Sequence, residues 1–496
     1  MSTTTQAPTP PPLERTPETT KEPRFWHALA PVLLLVVLIV WGMIIGPMVF
    51  DLPAWPLEFT FLAAALGTWP LLLWLGFRFD SISRTMAERT RTALPAIWML
   101  AAIGILIGSW TAAGTIPMLV HYGMLLVSPA WIYVVALLLT SLFSVLTGTS
   151  WGSAGTIGVV LINVGIATDA HMGLLAAAII SGAYFGDKMS PLSDTTNMAA
   201  MGAGTPLYSH VRSMVNTTGP AYLVALVLTV IFGFMQPTKS GVDVEAFTRP
   251  VADDLASAFS FSPLVWLPLL VMLTGAALRK APLPTLLYSA VTGGLVAIIV
   301  QGFSFDQMIQ SLINGVTIDM TAVGSADKIG EQALAIIQRG GLYSMASAVI
   351  ITLCVFMYIG SLDLINAMGT VVDKAFGHMK SRPGIIIASL LSSAFVNGFS
   401  SNQYATSFII GAAFGPKYDE AGIDRKVLSR SIEDYGTFIE PMLPWTTTGV
   451  FMVTTLGVAY ADYVPYMFLQ WANFIIAPLL AITGIGCFYG AKNTRK

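Results

Sequence analysis

The chain has 496 residues, 55% of them apolar and only 10% charged, where an ordinary soluble domain carries about 25% charged side chains. That is too little charge to coat a water-facing surface, and a mean hydropathy of +0.71 points to a surrounding medium that has no hydrogen bonds to lose, which is lipid. A formal net charge of −2 makes no electrostatic case for nucleic acid, and two cysteines, Cys354 and Cys487, set far apart in apolar runs, exclude a disulfide framework and a thiolate metal site and read as small buried hydrophobes.

Residues 1–24 are rich in Thr, Pro and Glu and hold no apolar run, so they read as a disordered tail and not as a signal peptide. N-terminal helices follow over 25–92, with apolar stretches near 27–49 and 57–77. The loop from Arg78 to Arg91 holds Arg78, Arg84, Arg89 and Arg91 against Asp80 and Glu88. By the positive-inside rule it is cytoplasmic, and two preceding spans put the tail in the cytoplasm too. A first repeat covers 93–236, with stretches at 94–113, 131–147, 154–167, 171–187 and 216–235. Several are shorter than the roughly 20 residues that cross a hydrocarbon core, and they meet at breaks such as Gly148-Thr-Ser-Trp-Gly152, as broken helices or re-entrant hairpins do. Connecting helices and polar loops occupy 237–341, including a segment with Asp306, Asp319, Asp327, Glu331 and Arg339 that is too polar for the membrane. A second repeat covers 342–490 and contains another basic loop, Lys374, His378, Lys380 and Arg382, also assigned to the inside. The fold class is all-α and multi-pass, with roughly 10–13 transmembrane helices.

The two halves resemble each other. A shift of 250 aligns Gly148 with Gly398, Ser150 with Ser400, Thr156 with Thr406, Ser181 with Ser431, Gly186 with Gly436, Pro191 with Pro441 and Thr196 with Thr446. These are helix-breaking and hydroxyl positions. The helix near Leu94 leaves one basic loop, whereas its counterpart from Leu342 runs toward the other, so the halves are expected to have opposite topology, with a site at the midplane between them. The competing reading is shared membrane-protein composition.

The polar segment Gly182–Asn197 lies between apolar stretches and holds Asp187, Lys188, Asp194, Thr195 and Asn197. Ionisable groups at bilayer depth survive where they line an ion path or pair with one another. Pro191 lacks an amide hydrogen and frees a carbonyl one turn back. A hard cation such as Na+ prefers carboxylate, carbonyl, hydroxyl and amide oxygens, and a carboxylate beside it can trade the metal for a proton. Asp187, Asp194, Thr195, Asn197 and Glu440 are the candidate cation and proton ligands, with Asp187 and Asp194 as the direct Na+ carboxylates. Lys188 is either a proton carrier or a charge partner for a neighbouring Asp. In the second half Glu440 sits among Phe438, Ile439, Pro441 and Met442, which favours burial, whereas Glu433 and Asp434 follow a charged loop and have an interfacial reading. Thr149, Ser150, Asn402 and Thr446 are possible additional ligands at the breaks, and Gly148 and Gly152 read as packing residues. His121, His171 and His210 each have the plain reading of a satisfied imidazole.

At these motifs the chain resembles the NhaC family of Na+/H+ antiporters, within the wider ion-transporter superfamily. The strings GTSWGSAGTIG from Gly148, SGAYFGDKMSPLSDTTN from Ser181, NGFSSNQYATSFI from Asn397 and EDYGTFIEPMLPWTTTGVFM from Glu433 carry the resemblance, which runs from about Arg24 onward. It implies two inverted repeats, hairpins reaching the midplane, and transport driven by an ion gradient. The expectation is exchange of Na+ or Li+ for H+ across the cell membrane by alternating access. Its alternative is a Na+- or H+-coupled carrier of a small carboxylate or amino acid, since malate/lactate antiporters look similar, although the core segments contain no arginine to meet an organic anion. No cofactor is expected. Na+ and H+ are the transported ions, the bilayer is the partner, and a homodimer is left open. No HExxH, GxSxG or paired His/Cys set supports an enzyme.

Overall fold

The computed structural model describes residues 21–126, 131–191, 193–235, 244–278, 280–376 and 379–490. Most of the expected disordered tail (residues 1–20) and His378 of the second basic loop lie outside the described residues. Among the described residues the secondary structure is helical, apart from an isolated bridge between Ile423 and Tyr489. Among the described residues eight helices are long and apolar enough to cross a membrane, and up to ten spans result if two bent pairs each count as one. This multi-pass count meets only the low end of the expected range, because several apolar stretches are half-spans that meet at breaks.

The helices that build the interior, in chain order, are α1 (Phe79–Ala112), α2 (Ile132–Thr147), α3 (Ser150–Ala167), α4 (Met172–Met189), α5 (Asp194–Ala203) and α6 (Leu207–Met235) in the first half. In the second half they are α7 (Ala346–Asp363), α8 (Arg382–Ser400), α9 (Gln403–Ala421), α10 (Arg425–Ser431, continued by a π turn Ile432–Thr437), α11 (Thr447–Leu456) and α12 (Phe468–Thr483). The basic stretch Arg78–Arg91 is not a loop: helix α1 runs unbroken for 34 residues, with the arginines on its first turns and the apolar span after them. Arg, Ala, Met and Glu are good helix formers, so the helix continues past the point where its surroundings change.

The breaks are written in capping chemistry. Helix α2 ends on Gly148 with φ 68, and α8 ends on Ser401 with φ 48, both left-handed. The next helix starts at once in each case. Thr149 (φ −147, ψ 121) accepts from the amide of Gly152, and Asn402 (φ −147, ψ 99) accepts from that of Ala405. Ser153 Oγ donates to the Thr149 carbonyl at 2.7 Å, as Thr406 Oγ1 does to the Asn402 carbonyl at 3.0 Å. Helices α5 and α11 repeat the pattern, capped by Ser193 and Thr446 and closed by Gly204 (φ 71) and Gly457 (φ 69). Each of these pairs is separated by 253 residues, as 402 is from 149. The shift of 250 read from residue identities is therefore three residues short of the register that the backbone obeys.

The matched helices point in opposite directions. Gly341 N donates to Gly104 O at 2.8 Å, while at the other end of the same two helices Arg89 Nε meets Asp363 Oδ2 at 2.5 Å, so α1 and α7 run antiparallel. The C-terminus of α5 lies at Arg425, which donates to Ala203 O at 3.3 Å near the basic end; that of α11 lies at Arg339, which donates to Thr455 O at 3.3 Å near Gly341.

Candidate ion-binding site

The four helix breaks converge on a cavity of about 630 Å3. Asp187, Asp194, Thr195 and Glu440 line it, as do Thr149, Ser150 and Asn402 from the two helix starts. The exposed lining residues at its mouth include Thr92 and Pro95, just past the arginines of α1, and Lys280 and Ala281. The cavity thus opens at the basic end of the molecule.

Asp187 sits on the last turn of α4 and is 3% exposed. The hydroxyls of Ser193 and Ser150 lie near its carboxylate, and Thr195 Oγ1 makes a long contact of 3.5 Å with Oδ2. Glu440, 8% exposed, opens the short 3-10 turn Glu440–Met442, whose Pro441 prevents the preceding helix from continuing. Asn397 Nδ2 donates to Glu440 Oε1 at 2.6 Å and Thr448 Oγ1 donates to Oε2 at 2.9 Å. Thr446 Oγ1 donates to the Glu440 carbonyl at 2.5 Å and fixes the turn from behind. Asp187 and Glu440 are also 253 residues apart, and so are Thr195 and Thr448 beside them. The two carboxylate–threonine pairs are equivalents of each other.

The other expected site residues divide. Asp194 begins α5 and is exposed to the cavity. Asn197 does not line it: its amide donates to Ser193 O at 2.7 Å and to Pro191 O at 3.2 Å. Thr446 is consumed as a cap, and its neighbours Thr447 and Thr448 face the cavity instead. Thr149 and Asn402 line the wall while their side chains cap helices.

Lys188 has no aspartate partner of the kind expected. Its ammonium lies 2.5 Å from Glu433 Oε2 and 3.0 Å from the Glu433 carbonyl, both side chains being fully buried, and Thr437 adds a hydroxyl to the same carboxylate at 3.1 Å. The interfacial reading of Glu433 and Asp434 is overturned: they lie on the π turn after α10, 0% and 1% exposed. Asp434 accepts from Thr217 at 2.9 Å and faces Arg430 at 3.8 Å. Among the histidines, His121 meets the Ala252 carbonyl, His171 caps α4 and His210 meets Ser429; none lines the cavity. Asn397, Thr448, Ser193, Gln403 and Trp151 are the site residues that sequence reasoning passed over. The 253-residue register would have found Thr448, Ser193 and Gln403, as the equivalents of Thr195, Thr446 and Ser150, but not Asn397 or Trp151, whose equivalents are Ser144 and Tyr404.

Comparison with known proteins places the chain. Residues 182–485 match the Na+/H+ antiporter family. The chain belongs to that family. It is 35% identical over 95% of its length to an uncharacterised Na+/H+ antiporter of Haemophilus influenzae, covering 98% of that protein. It is also 35% identical to the Na+/H+ antiporter NhaC of Bacillus subtilis over 83% of this chain and 88% of that one. A malate-2H+/Na+-lactate antiporter of Bacillus subtilis is 29% identical over 88% of this chain and 90% of its own. This member of the Na+/H+ antiporter family thus carries its matched region over the stretch that contains both carboxylates and both helix breaks of the second half.

Proposed function

We propose that the protein exchanges Na+, or Li+, for H+ across the cell membrane by alternating access, with its N-terminus in the cytoplasm. The observation that carries this reading is the pair Asp187 and Glu440: two buried carboxylates from oppositely directed halves on the wall of one cavity, with hydroxyls rather than cations beside them. Oxygen ligands of this kind suit a hard, small cation. A carboxylate held in low dielectric disfavours its bare charge, so it is occupied by either a metal ion or a proton. That competition yields exchange without a separate proton device. Lys188 is neutralised by Glu433 and does not cancel the carboxylates. The mouth at the basic end makes this the inward-facing arrangement under the positive-inside rule, and the equivalent half-helices are the parts expected to rock between faces.

In everted vesicles sodium should dequench a pH probe between about pH 7 and 9, and Asp187→Asn or Glu440→Gln should abolish the signal, a loss of at least about tenfold if each carboxylate binds the ion. A wild-type protein without sodium-dependent dequenching refutes the reading. A second reading, a carrier of a small carboxylate, is favoured by Lys280 at the mouth and by the likeness to the malate/lactate antiporter. Uptake of labelled malate or lactate into proteoliposomes separates the two.

A further inference from the structure

The register that pairs Asp187 with Glu440 also pairs their neighbours, and those pairs are chemically unlike. Ser144 Oγ donates to Ala183 O at 2.6 Å; its equivalent, Asn397, donates from Nδ2 to Gly436 O at 2.8 Å. The asparagine does what the serine does and more, because its amide nitrogen also lies 2.6 Å from Glu440 Oε1 and 2.8 Å from Gln403 Oε1, so that its two N–H groups are shared among three acceptors. Trp151 is the equivalent of Tyr404, and both line the cavity. The Trp151 indole stacks on Phe451 at 4.4 Å with 6° between the planes, and its Nε1 donates to Thr448 Oγ1 at 3.3 Å.

Amide and indole N–H groups donate and never accept, whereas a hydroxyl does either. One lone pair of Thr448 is taken by the indole, so its hydrogen is turned toward Glu440 Oε2. Both oxygens of Glu440 are therefore served by hydrogen bonds of fixed direction, one from Asn397 and one relayed from Trp151. Asp187 instead has the hydroxyls of Ser150, Ser193 and Thr195 around it, with Thr195 Oγ1 at 3.5 Å, and in the 3.0 Å contact between Ser193 Oγ and Thr195 Oγ1 either atom can be the donor. We propose that Asn397 and Trp151 are positioning residues that fasten Glu440 as the rigid cation ligand of the cavity, and that Asp187, among hydroxyls free to turn, is the adjustable ligand. This deepens the cation-exchange reading and rests on it.

The test uses the full-length purified protein, titrated with NaCl against N-methyl-D-glucamine chloride by calorimetry, with exchange followed in everted vesicles. Asn397→Ser gives the second half the residue of the first, and Trp151→Phe keeps the ring stack while removing the donor. Each should weaken sodium binding by about tenfold, the scale of one hydrogen bond to a charged group. Trp151→Phe should raise the KM for sodium while leaving the maximal rate within about threefold, since the indole does not touch the ion. Thr448→Ser should bind sodium within about twofold of the wild type and Thr448→Val should match Trp151→Phe. Wild-type sodium affinity in both Asn397→Ser and Trp151→Phe overturns the proposal, as does equal loss in Thr448→Ser and Thr448→Val. A wild type that binds sodium but exchanges no protons refutes the exchange reading while the affinity ratios still decide the positioning claim; a wild type that binds no sodium refutes both.

Discussion

Two ion pairs in this molecule use the same chemistry in different surroundings. Lys188 and Glu433 meet at 2.5 Å between the two halves with both side chains fully buried, whereas Arg425 and Asp419 meet at 2.7 Å at the basic end with side chains 30% and 54% exposed. The distances are nearly equal, so the medium makes the difference. In water a pair at contact gains about 1 kcal/mol, and screening and side-chain entropy consume much of it. Between buried helices each charge has left several kcal/mol of hydration behind, and the partner is what makes that loss tolerable. The buried pair therefore acts as a bolt between α4 and the π turn that follows α10, and removing one partner costs more than the pair contributes net, because it leaves a buried charge uncompensated.

The sharpest way to break this comparison is to remove one buried charge. Lys188→Met strands Glu433 and should destabilise the protein by about 3–5 kcal/mol. Thermal unfolding of the detergent-purified protein reads it. Adding Glu433→Leu should restore most of the loss, because no charge is then left uncompensated. If the single variant is no less stable than an Arg425 variant, burial is not what separates the pairs.

Arg89 and Asp363 offer an intermediate case, at 2.5 Å with side chains 15% and 33% exposed. They tie the first turns of α1 to the last turn of α7, beside the cavity mouth. Asp363→Asn removes the charge and keeps a polar group of similar shape, so its cost should fall between the other two, about 1–2 kcal/mol. Thermal unfolding ranks the three variants; an Asp363 variant as damaging as Lys188→Met would mean that position in the fold, not exposure, sets the scale.

Much of this architecture was legible in the chain and some of it was not, for a physical reason. Apolar content and run lengths mark a membrane protein, and Gly, Pro and hydroxyl clusters mark the breaks, because those residues either leave backbone groups unpaired or pair them locally. Glu440 stood out because carboxylates flanked by apolar residues have few uses, and Asp187 because it lies in a polar segment set between apolar stretches. The partner of Lys188 did not, since it lies 245 residues away and no local pattern encodes it. Matching identities between the halves led to a register three residues short, because the true equivalents are mostly unlike: Thr149 with Asn402, Trp151 with Tyr404, Asp187 with Glu440. What the two halves share is a capping geometry, and different side chains satisfy it. The helical continuation of α1 through Arg78–Arg91 was missed for the converse reason, since charge density there signalled the membrane boundary but said nothing about the backbone.

The smallest effect belongs to the exposed pair. Hydrogen bonding from Arg425 holds the Asp419 carboxyl below its usual range, and the guanidinium charge adds to this. A carboxylate whose folded-state affinity for protons is depressed contributes stability above its unfolded pKa and loses that contribution as pH falls through the folded value. Near neutral pH the contribution is present in full, yet solvent holds it to about 0.2–1 kcal/mol. Asp419→Asn should therefore lower the unfolding temperature only slightly near pH 7, and the gap from wild type should close below the ordinary carboxylate range near pH 4. High salt should close it too, since exposed charges are screened over about 8–10 Å at moderate ionic strength. The Lys188→Met deficit should survive the same salt. A deficit in Lys188→Met that vanished with salt alongside that of Asp419→Asn would show that ions and water reach the seam between the halves, and the bolt would then have to be counted as part of the cavity.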